Sequence, residues 1–126
     1  MNVPRELKYV KTHEWLNYLQ ADKVRIGISD YAQEALGDIV FINLPAVGDP
    51  ATAGEPLFDL ESVKAVEDII SPVTGEVTAI NEKLLDHPEL INADPYEAWL
   101  VEIGEISGSE ELLSAAEYEA LLAEEE

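Results

Sequence analysis

The stretch LFDLESVKAVEDII, residues 57–70, places one lysine between two largely apolar runs of strand length. Lys64 is the only basic residue between Arg25 and Lys83. Two apolar runs of this length on either side of a short segment are typical of two strands joined by a turn. We therefore predict a β-hairpin with Lys64 at its tip, where the amine on its long, flexible stem is a natural attachment point.

Glycine and proline divide the chain around this hairpin into runs of about four to eight residues, which is strand length. The breaks fall at Gly27, Gly37, Pro45, Gly48, Pro50, Gly54, Pro56, Pro72 and Gly75. This pattern predicts a mainly β protein, a flattened barrel or sandwich of two small antiparallel sheets. Similar strand-turn units at residues 45–50 and 71–77, on either side of Lys64, suggest pseudo-two-fold symmetry.

Two core strands and a short helix are predicted before the hairpin. Residues 24–28 alternate with period two, and residues 38–44 are apolar and β-branched enough for a buried strand. Between them, Ser29 is a good N-cap for a short helix near residues 30–36, and Gly37 suits the left-handed position at its end.

A C-terminal helix is predicted near residues 114–123. Ser114 and Glu117 have capping-box spacing, and apolar residues after them recur on one helical face. The acidic residues 124–126 oppose the helix dipole, so we expect the end to fray. A length of 126 residues suits one core, so we expect a single domain, residues 1–126, with this helix as an extension.

The composition excludes several functional classes. Seven Lys and Arg against 27 Asp and Glu give a formal net charge of −20, which repels nucleic acid and anionic membrane surfaces. There is no cysteine, so disulfides, thiolate metal sites and thiol nucleophiles are absent, and any sulfur chemistry must be imported. His13 and His87 lack the spacing of a zinc site or a catalytic triad, so no metal site is predicted.

The start of the chain lacks the features of a targeting sequence. It has neither the apolar core of a signal peptide nor the Arg-rich, acid-poor character of a transit peptide. No apolar run approaches the length that spans a membrane. We therefore expect a cytoplasmic protein of bacterial type, although a processed mitochondrial protein would look the same.

Residues 61–65, ESVKA, and residues 68–77, DIISPVTGEV, closely resemble the lipoyl-lysine region of the glycine cleavage H-protein family. Further similarity extends over nearly the whole chain and is highly specific in combination. It includes KY at 8–9, HEW at 13–15, AQ at 32–33, LGDIV at 36–40, LP at 44–45, VG at 47–48, PELIN at 88–92, PY at 95–96, WL at 99–100 and Tyr118. The resemblance implies the lipoyl/biotinyl hammerhead type of fold.

The resemblance implies a lipoyl group in amide linkage to Lys64, which supplies the sulfur chemistry that the chain lacks. In the family the arm accepts an aminomethyl group from a pyridoxal-phosphate glycine decarboxylase and delivers it to a folate-dependent aminomethyltransferase. Dihydrolipoamide dehydrogenase then reoxidises it, and a lipoate-attaching enzyme installs it. The implied role is a monomeric carrier, not an enzyme. An arm of about ten bonds of ~1.5 Å reaches on the order of 14 Å.

The family also shelters the loaded arm in a cleft, and the resemblance places that cleft at Glu14 and Asp68, with Thr12 as a weaker candidate. These acids would hold the ammonium of the aminomethyl group by charge and hydrogen bonding. The alternatives are a structural acid beside Trp15 for Glu14 and a strand-end residue for Asp68.

Four residues near the lysine match positions that lipoate-attaching enzymes use or that shape the tip. Glu61 and Gly75 match such positions in the family, although the backbone conformation of a turn is enough to explain a glycine at position 75. Val63 and Ala65 give the tip small apolar neighbours that an enzyme can recognise by shape.

The chain departs from the family pattern at three places. Tyr31 stands where histidine is frequent, and the segment before Trp99 lacks a frequent glycine. Residues 101–105 carry acids where lysine is usual. These changes affect the expected cleft and partner contacts, not the attachment site.

Five alternatives remain. Biotinyl carrier domains place methionine on both sides of the lysine, whereas Met1 is the only methionine here. Lipoyl domains of 2-oxoacid dehydrogenases normally have Asp before the lysine and a linker after the domain. The other binding proteins to consider are a lipoyl-relay or regulatory relative without glycine cleavage and an unmodified acidic binding module. Intact mass tests these, because an unmodified chain from cells that attach lipoate would count against a carrier. For an independent enzyme, no acid–base pair can be assigned.

Overall fold

The computed structural model describes residues 2–125, which contain nine strands and four helices. The strands are β1 Lys8–Tyr9, β2 Glu14–Gln20, β3 Lys23–Ile28, β4 Ile39–Asn43, β5 Pro50–Ala51, β6 Pro56–Ser62, β7 Val66–Ile70, β8 Val73–Ile80 and β9 Val101–Ser109. The helices are α1 Asp30–Leu36, α2 Lys83–Asp86, α3 Leu90–Ala93 and α4 Ala115–Glu125. Residues 1 and 126 of the predicted domain lie outside this range.

The strands form two antiparallel sheets, which confirms the predicted mainly β fold. One sheet has six strands in the order β1-β2-β3-β9-β8-β5, and the other has three in the order β4-β6-β7. The sheets differ in size and do not close into a barrel. The two similar strand-turn units meet directly, since Pro50 of β5 pairs with Glu76 of β8. Their pseudo-two-fold symmetry stays a prediction.

The predicted hairpin is formed by β6 and β7, and its register decides which side chains face the core. Leu60, fully buried, lies opposite Glu67, whereas Asp59 lies opposite Asp68. Because successive residues of a strand point to opposite faces, Glu67 shares the inner face with Leu60, and Asp68 lies on the other side of the sheet.

Strand β4 is only half buried, so the prediction of a buried strand at residues 38–44 was wrong in part. Ile39 and Ile42 are in the core, but Val40 and Phe41 are 54% and 51% exposed. The pairing with β6 shifts by one residue between Ile39 and Phe41. Such a bulge places an extra residue on one strand, which turns two successive side chains outward here.

Both predicted helices are present with the predicted caps. The Ser29 hydroxyl accepts the Ala32 N–H at 3.2 Å at the start of α1, and Gly37 at its end has φ of 76°. Ser114 and Glu117 exchange side chain to backbone bonds at the start of α4, which completes the capping box.

Helix α4 continues two residues beyond the predicted end. It reaches Glu125, so the expected fraying is not seen up to that residue; Glu126 lies outside the described range. His13 Nε2 lies 3.3 Å from the Glu125 carboxylate and gives the helix end a partner that the local sequence does not show.

The core consists of two clusters, one between the sheets and one beneath α4. The second cluster contains Tyr9, Trp15 and Tyr118, with the Tyr9 and Tyr118 rings stacked 4.6 Å apart. The Trp15 indole lies so close to Gly27 that a Cβ there would be 2.4 Å from the ring. Its N–H donates to the Pro95 carbonyl at 3.0 Å. Among residues 2–125, no helix has the length and apolar character needed to cross a membrane.

Candidate functional site

The tip of the β6–β7 hairpin is a tight turn closed by Ser62. The Ser62 hydroxyl accepts the N–H groups of Lys64 and Ala65 at 3.1 and 3.2 Å, and the Ser62 N–H donates to the Ala65 carbonyl at 2.8 Å. Lys64 and Ala65 are exposed, and Val63 is 65% exposed. The backbone of the tip is therefore fixed while the lysine amine stays accessible.

The tip is also held against the end of α1. The Val63 N–H donates to the Asp38 carbonyl at 3.0 Å, and the Lys64 side chain runs over Gly37. A Cβ added to Gly37 would lie 3.4 Å from Lys64 Cε and 3.6 Å from Val63 Cγ2. Since Gly37 also has a positive φ, both the conformation and the space at this position favour glycine.

A cleft of about 930 Å³ connects this lysine with a buried acid on the six-stranded sheet. Its walls come from the segment before β2, from α1 and from the inner side of β7. The lining residues are Thr12, His13, Glu14, Ile28, Tyr31, Ala32, Ala35, Leu36, Lys64, Ala65, Val66, Glu67, Asp68, Ile69 and Ile70. Most of these side chains are apolar, with carboxylates at a few positions.

Glu14 is the buried acid of the cleft, with only 3% of its surface exposed. It begins β2, where it pairs with Ile28, and it accepts a hydrogen bond from the Thr12 hydroxyl. Burial, with a smaller contribution from the negative charge of Glu67, raises the pKa of Glu14 from 4.5 to about 8. The Thr12 hydroxyl and the Ile70 amide oppose this shift. Without a cation beside it, Glu14 is therefore mostly protonated near neutral pH.

The two other acids of the cleft lie on β7. Asp68, which the resemblance implied, borders the cleft from the opposite face of β7 to Glu67, and both residues are exposed. Glu67 was not predicted as a site residue, although the hairpin register places it on the inner face and its charge acts on Glu14. Alternation along β7 could have identified it, because Glu67 is two residues before the buried Ile69.

One wall of the cleft is an aromatic and polar cluster that the sequence did not reveal. His13 has φ of 78°, and its ring lies 4.8 Å from the Tyr31 ring. His13 Nδ1 lies 2.8 Å from the Tyr118 hydroxyl, which is 2.6 Å from the Ser29 hydroxyl. The cluster ties α4 and the start of α1 to the segment that carries Glu14.

The predicted site residues therefore fall into two groups. Thr12, Glu14, Lys64, Ala65 and Asp68 lie together in the cleft wall. The remaining three, Glu61, Val63 and Gly75, are described residues outside the cleft lining.

The three residues outside the cleft have different surroundings. Glu61 is half-buried on β6, opposite Val66. Gly75 lies on β8 and has a structural explanation, because a Cβ there would be 2.4 Å from the Gly104 carbonyl oxygen. Their roles in recognition by a lipoate-attaching enzyme stay predictions.

The cleft suits a lipoyl group. A lipoyl arm is an aliphatic chain that ends in a dithiolane, and the apolar walls between Lys64 and Glu14 match that character. The exposed amine supplies the attachment atom, and the buried carboxyl supplies a partner for a cation carried at the far end. Within residues 2–125, no three His, Asp or Glu side chains are grouped so that they could hold a metal ion.

Comparison with known proteins gives the same answer as this geometry. A family model described as glycine cleavage H-protein matches residues 7–125. The chain belongs to the glycine cleavage H-protein family.

Curated relatives match over almost their full lengths. A glycine cleavage system H protein from Lachnoclostridium phytofermentans is 50% identical over 125 residues, covering 99% of this chain and 98% of that protein. One from Halalkalibacterium halodurans is 52% identical over 127 residues, covering 98% of each. A crystal structure of a glycine cleavage system H protein from Mycobacterium marinum matches with a TM-score of 0.90 and 37% identity, covering 96% of this chain and 99% of that one.

Membership of the H-protein family confirms the resemblance inferred from the sequence. The chain therefore has the role of a lipoyl carrier in glycine cleavage, and its cofactor is lipoate. The alternative functions considered from the sequence are not favoured. The departure at Tyr31 leaves the H-protein fold intact, since the Tyr31 ring packs beside His13 in the cleft wall.

Proposed function

We propose that Lys64 carries the lipoyl group in amide linkage and that the cleft shelters the far end of this arm. The observation that carries the proposal is the continuous cleft between the exposed Lys64 and the buried Glu14. When bound, a lipoyl group supplies a disulfide that takes up an aminomethyl group and a dithiol that is later reoxidised. The chain itself supplies the attachment point, the orientation and the shelter from water.

Glu14 is the main partner that we propose for a cation at the end of the arm. An ammonium group that enters the cleft favours the ionised carboxylate, whereas burial alone favours the protonated form. Binding near neutral pH therefore releases a proton from Glu14. Thr12 steadies the carboxylate through its hydroxyl, and Asp68 adds charge from the exposed rim.

The apolar wall has a separate role, which is to exclude water. Ile28 and Leu36 contribute to it from β3 and α1, and Ile69 contributes from β7. A dry wall strengthens the attraction between a cation and the Glu14 carboxylate. The same wall keeps water from an adduct that hydrolysis would destroy.

The partners of the proposed carrier follow from the family. They are a pyridoxal-phosphate glycine decarboxylase, a folate-dependent aminomethyltransferase, dihydrolipoamide dehydrogenase and a lipoate-attaching enzyme. We propose that the lipoate-attaching enzyme contacts Val63 and Ala65 at the exposed tip and Glu61 on β6. Gly75 contributes indirectly, because it allows β8 to pack closely against Gly104 of β9. In this scheme the chain is a carrier subunit and not an enzyme.

The remaining parts of the proposal concern the whole chain. We propose that residues 1–126 act as one carrier domain with α4 as its extension, and that the protein is a monomer. The bacterial relatives support a cytoplasmic location. The net charge of −20 disfavours nucleic acid and anionic membrane surfaces as partners.

The test is replacement of the attachment amine. Lys64→Arg keeps a positive charge but removes the amine that is acylated, because the guanidinium stays protonated and is a poor nucleophile. We expect intact-mass and peptide mass spectra to show full modification of the wild type by a lipoate-attaching enzyme and none of the variant. Glycine-dependent carbon dioxide exchange with the decarboxylase should fall to background.

The matched control is Lys83→Arg, which changes another exposed lysine in the same way, on α2. It should keep full modification and exchange activity. Modification of Lys64→Arg, or glycine-dependent turnover by that variant, contradicts the proposed attachment site.

A further inference from the structure

Asn92 on the short helix α3 is the centre of a hydrogen-bond network that the proposed carrier function does not yet use. Its Oδ1 accepts the Ile39 N–H at 2.8 Å. Its Nδ2 donates to the Gly37 carbonyl at 2.8 Å and to Gln33 Oε1 at 3.0 Å. This half-buried amide thus accepts one hydrogen bond and donates two at once.

These bonds determine the orientation of the amide. If Oδ1 and Nδ2 were exchanged, an NH₂ group would face the Ile39 N–H, and an oxygen would face the Gly37 carbonyl. Both contacts would then be repulsive. The hydrogen bonds therefore determine which way the Asn92 amide faces.

The segment held by Asn92 is the segment that holds the hairpin tip. Gly37 and Ile39 flank Asp38, whose carbonyl accepts the Val63 N–H at 3.0 Å. Ile39 also pairs with Ser62, the residue that closes the turn. The amide thus lies on one side of residues 37–39, and the residue before Lys64 lies on the other.

Helix α3 provides a firm base for this contact. Ile91, next to Asn92, is fully buried in the core between the sheets. Through residues 37–39, the amide therefore connects the core to the exposed tip. Loss of the amide would leave residues 37–39 attached to α1 through the chain and through the Gly37 N–H, which donates to the Gln33 carbonyl.

We propose that Asn92 is a positioning residue that fixes residues 37–39 and, through them, sets where the Lys64 side chain leaves the hairpin. This inference rests on the proposed attachment at Lys64. In its absence the tip shifts and the base of the arm no longer lies over Gly37 at the entrance of the cleft. A lipoate-attaching enzyme then meets a tip whose shape varies.

The first test uses the unmodified protein and amide hydrogen exchange. Asn92→Ala should speed exchange of the Val63 N–H by roughly fivefold to tenfold relative to globally protected amides, because the acceptor segment loses hydrogen bonds. The matched control is Asn81→Ala. Asn81 Nδ2 also donates to a backbone carbonyl, that of Trp99 at 2.8 Å, and lies outside the 37–39 network. It should leave exchange at Val63 unchanged.

The second test is the rate of lipoylation of the same folded variants by a lipoate-attaching enzyme. We expect kcat/KM for Asn92→Ala to fall by roughly tenfold, whereas Asn81→Ala keeps the wild-type value. If Asn92→Ala does not fold, Asn92→Asp is used in its place for both measurements. Aspartate keeps the acceptor for the Ile39 N–H but loses the donors to Gly37 and Gln33. It should change both readouts in the same direction.

Equal exchange and equal lipoylation kinetics in the Asn92 and Asn81 variants overturn the positioning role. Faster exchange at Val63 with unchanged lipoylation also overturns it, because the fixed tip would then have no functional use. Failure of the proposed attachment itself looks different, since wild-type protein would then remain unmodified at Lys64 while the exchange results stood.

Discussion

The two ends of the cleft are built in opposite ways. At the hairpin end, Lys64 is exposed, and hydrogen bonds fix its backbone while its side chain remains free. At the inner end, Glu14 is buried, and its surroundings set its protonation state. The mobile part of this site thus depends on a rigid backbone, whereas its selective part depends on desolvation.

Replacing Glu14 with glutamine should produce the largest change. Because the fold raises its pKa from 4.5 to about 8, the stability that neutral Glu14 contributes is complete below about pH 4.5 and is lost as the pH rises through about 8. Glu14→Gln should lack this loss. At pH 9 it should exceed wild type by roughly 2–4 kcal/mol in free energy of unfolding.

The measurement is denaturant unfolding of the unmodified protein at pH 4, 7 and 9. Glu89→Gln is the control, since it removes the same charge from an exposed position. It should follow the wild-type profile. If the Glu14→Gln profile runs parallel to wild type, desolvation does not control the inner end.

Gly75→Ala tests whether recognition is confined to the hairpin end. The added methyl group would press on the Gly104 backbone and on Ile103 of β9, so we expect a loss of roughly 1–3 kcal/mol in unfolding free energy. The folded fraction should still be lipoylated normally. Thermal or denaturant unfolding and intact mass give the two readouts.

Gly108→Ala is the matched control on β9, because its Cβ would approach nothing closer than the Thr74 hydroxyl at 4.0 Å. It should be nearly neutral. A stable Gly75→Ala protein that is poorly lipoylated would instead support the predicted role of Gly75 in recognition.

Thr12→Val should have a smaller effect, which is a change in the pKa of Glu14 at the inner end. Removing the hydroxyl removes a hydrogen bond that favours the carboxylate, so the pKa of Glu14 should rise above about 8. Carbon-13 NMR titration of the Glu14 carboxyl measures it. Thr78→Val, which removes a hydroxyl bonded to Glu102 outside the cleft, should leave that titration unchanged. A lower Glu14 pKa in Thr12→Val would refute the assignment.

Asp68→Asn should have the smallest effect. Asp68 is exposed and directly opposite Asp59, so removal of its charge should raise stability by about 0.5 kcal/mol or less. Unfolding at pH 7 tests this, with the exposed Asp86→Asn as the control. An effect as large as that of Glu14→Gln would remove the distinction between a buried and an exposed carboxylate in this cleft.

Much of the fold could be predicted because it depends on local chemistry. The glycines and prolines marked the strands, Ser29 and Gly37 marked the limits of α1, and Ser114 with Glu117 marked the start of α4. The pattern around Lys64 was enough to predict the hairpin. The prediction that residues 38–44 form a buried strand was wrong in part. The bulge that turns two side chains outward depends on how β4 pairs with β6, which the local sequence does not show.

The cleft was less predictable for the same reason. Lys64 and Glu14 were identified, the second only through resemblance to a family. Glu67 depends on the hairpin register, and His13 depends on a positive φ and on contacts with α4, which is about a hundred residues away in the chain. Such long-range contacts leave no local pattern in a single sequence.

The close fit of the Trp15 indole over Gly27 has a practical use in spectroscopy. Trp15 is buried and directly follows Glu14, and the chain has one other tryptophan, Trp99. Replacing Trp99 with phenylalanine would leave a single emitter, held still by its bond to the Pro95 carbonyl. The fluorescence of that indole would then report whether the cluster beneath α4 stays packed, so unfolding of this half of the molecule could be followed without a dye.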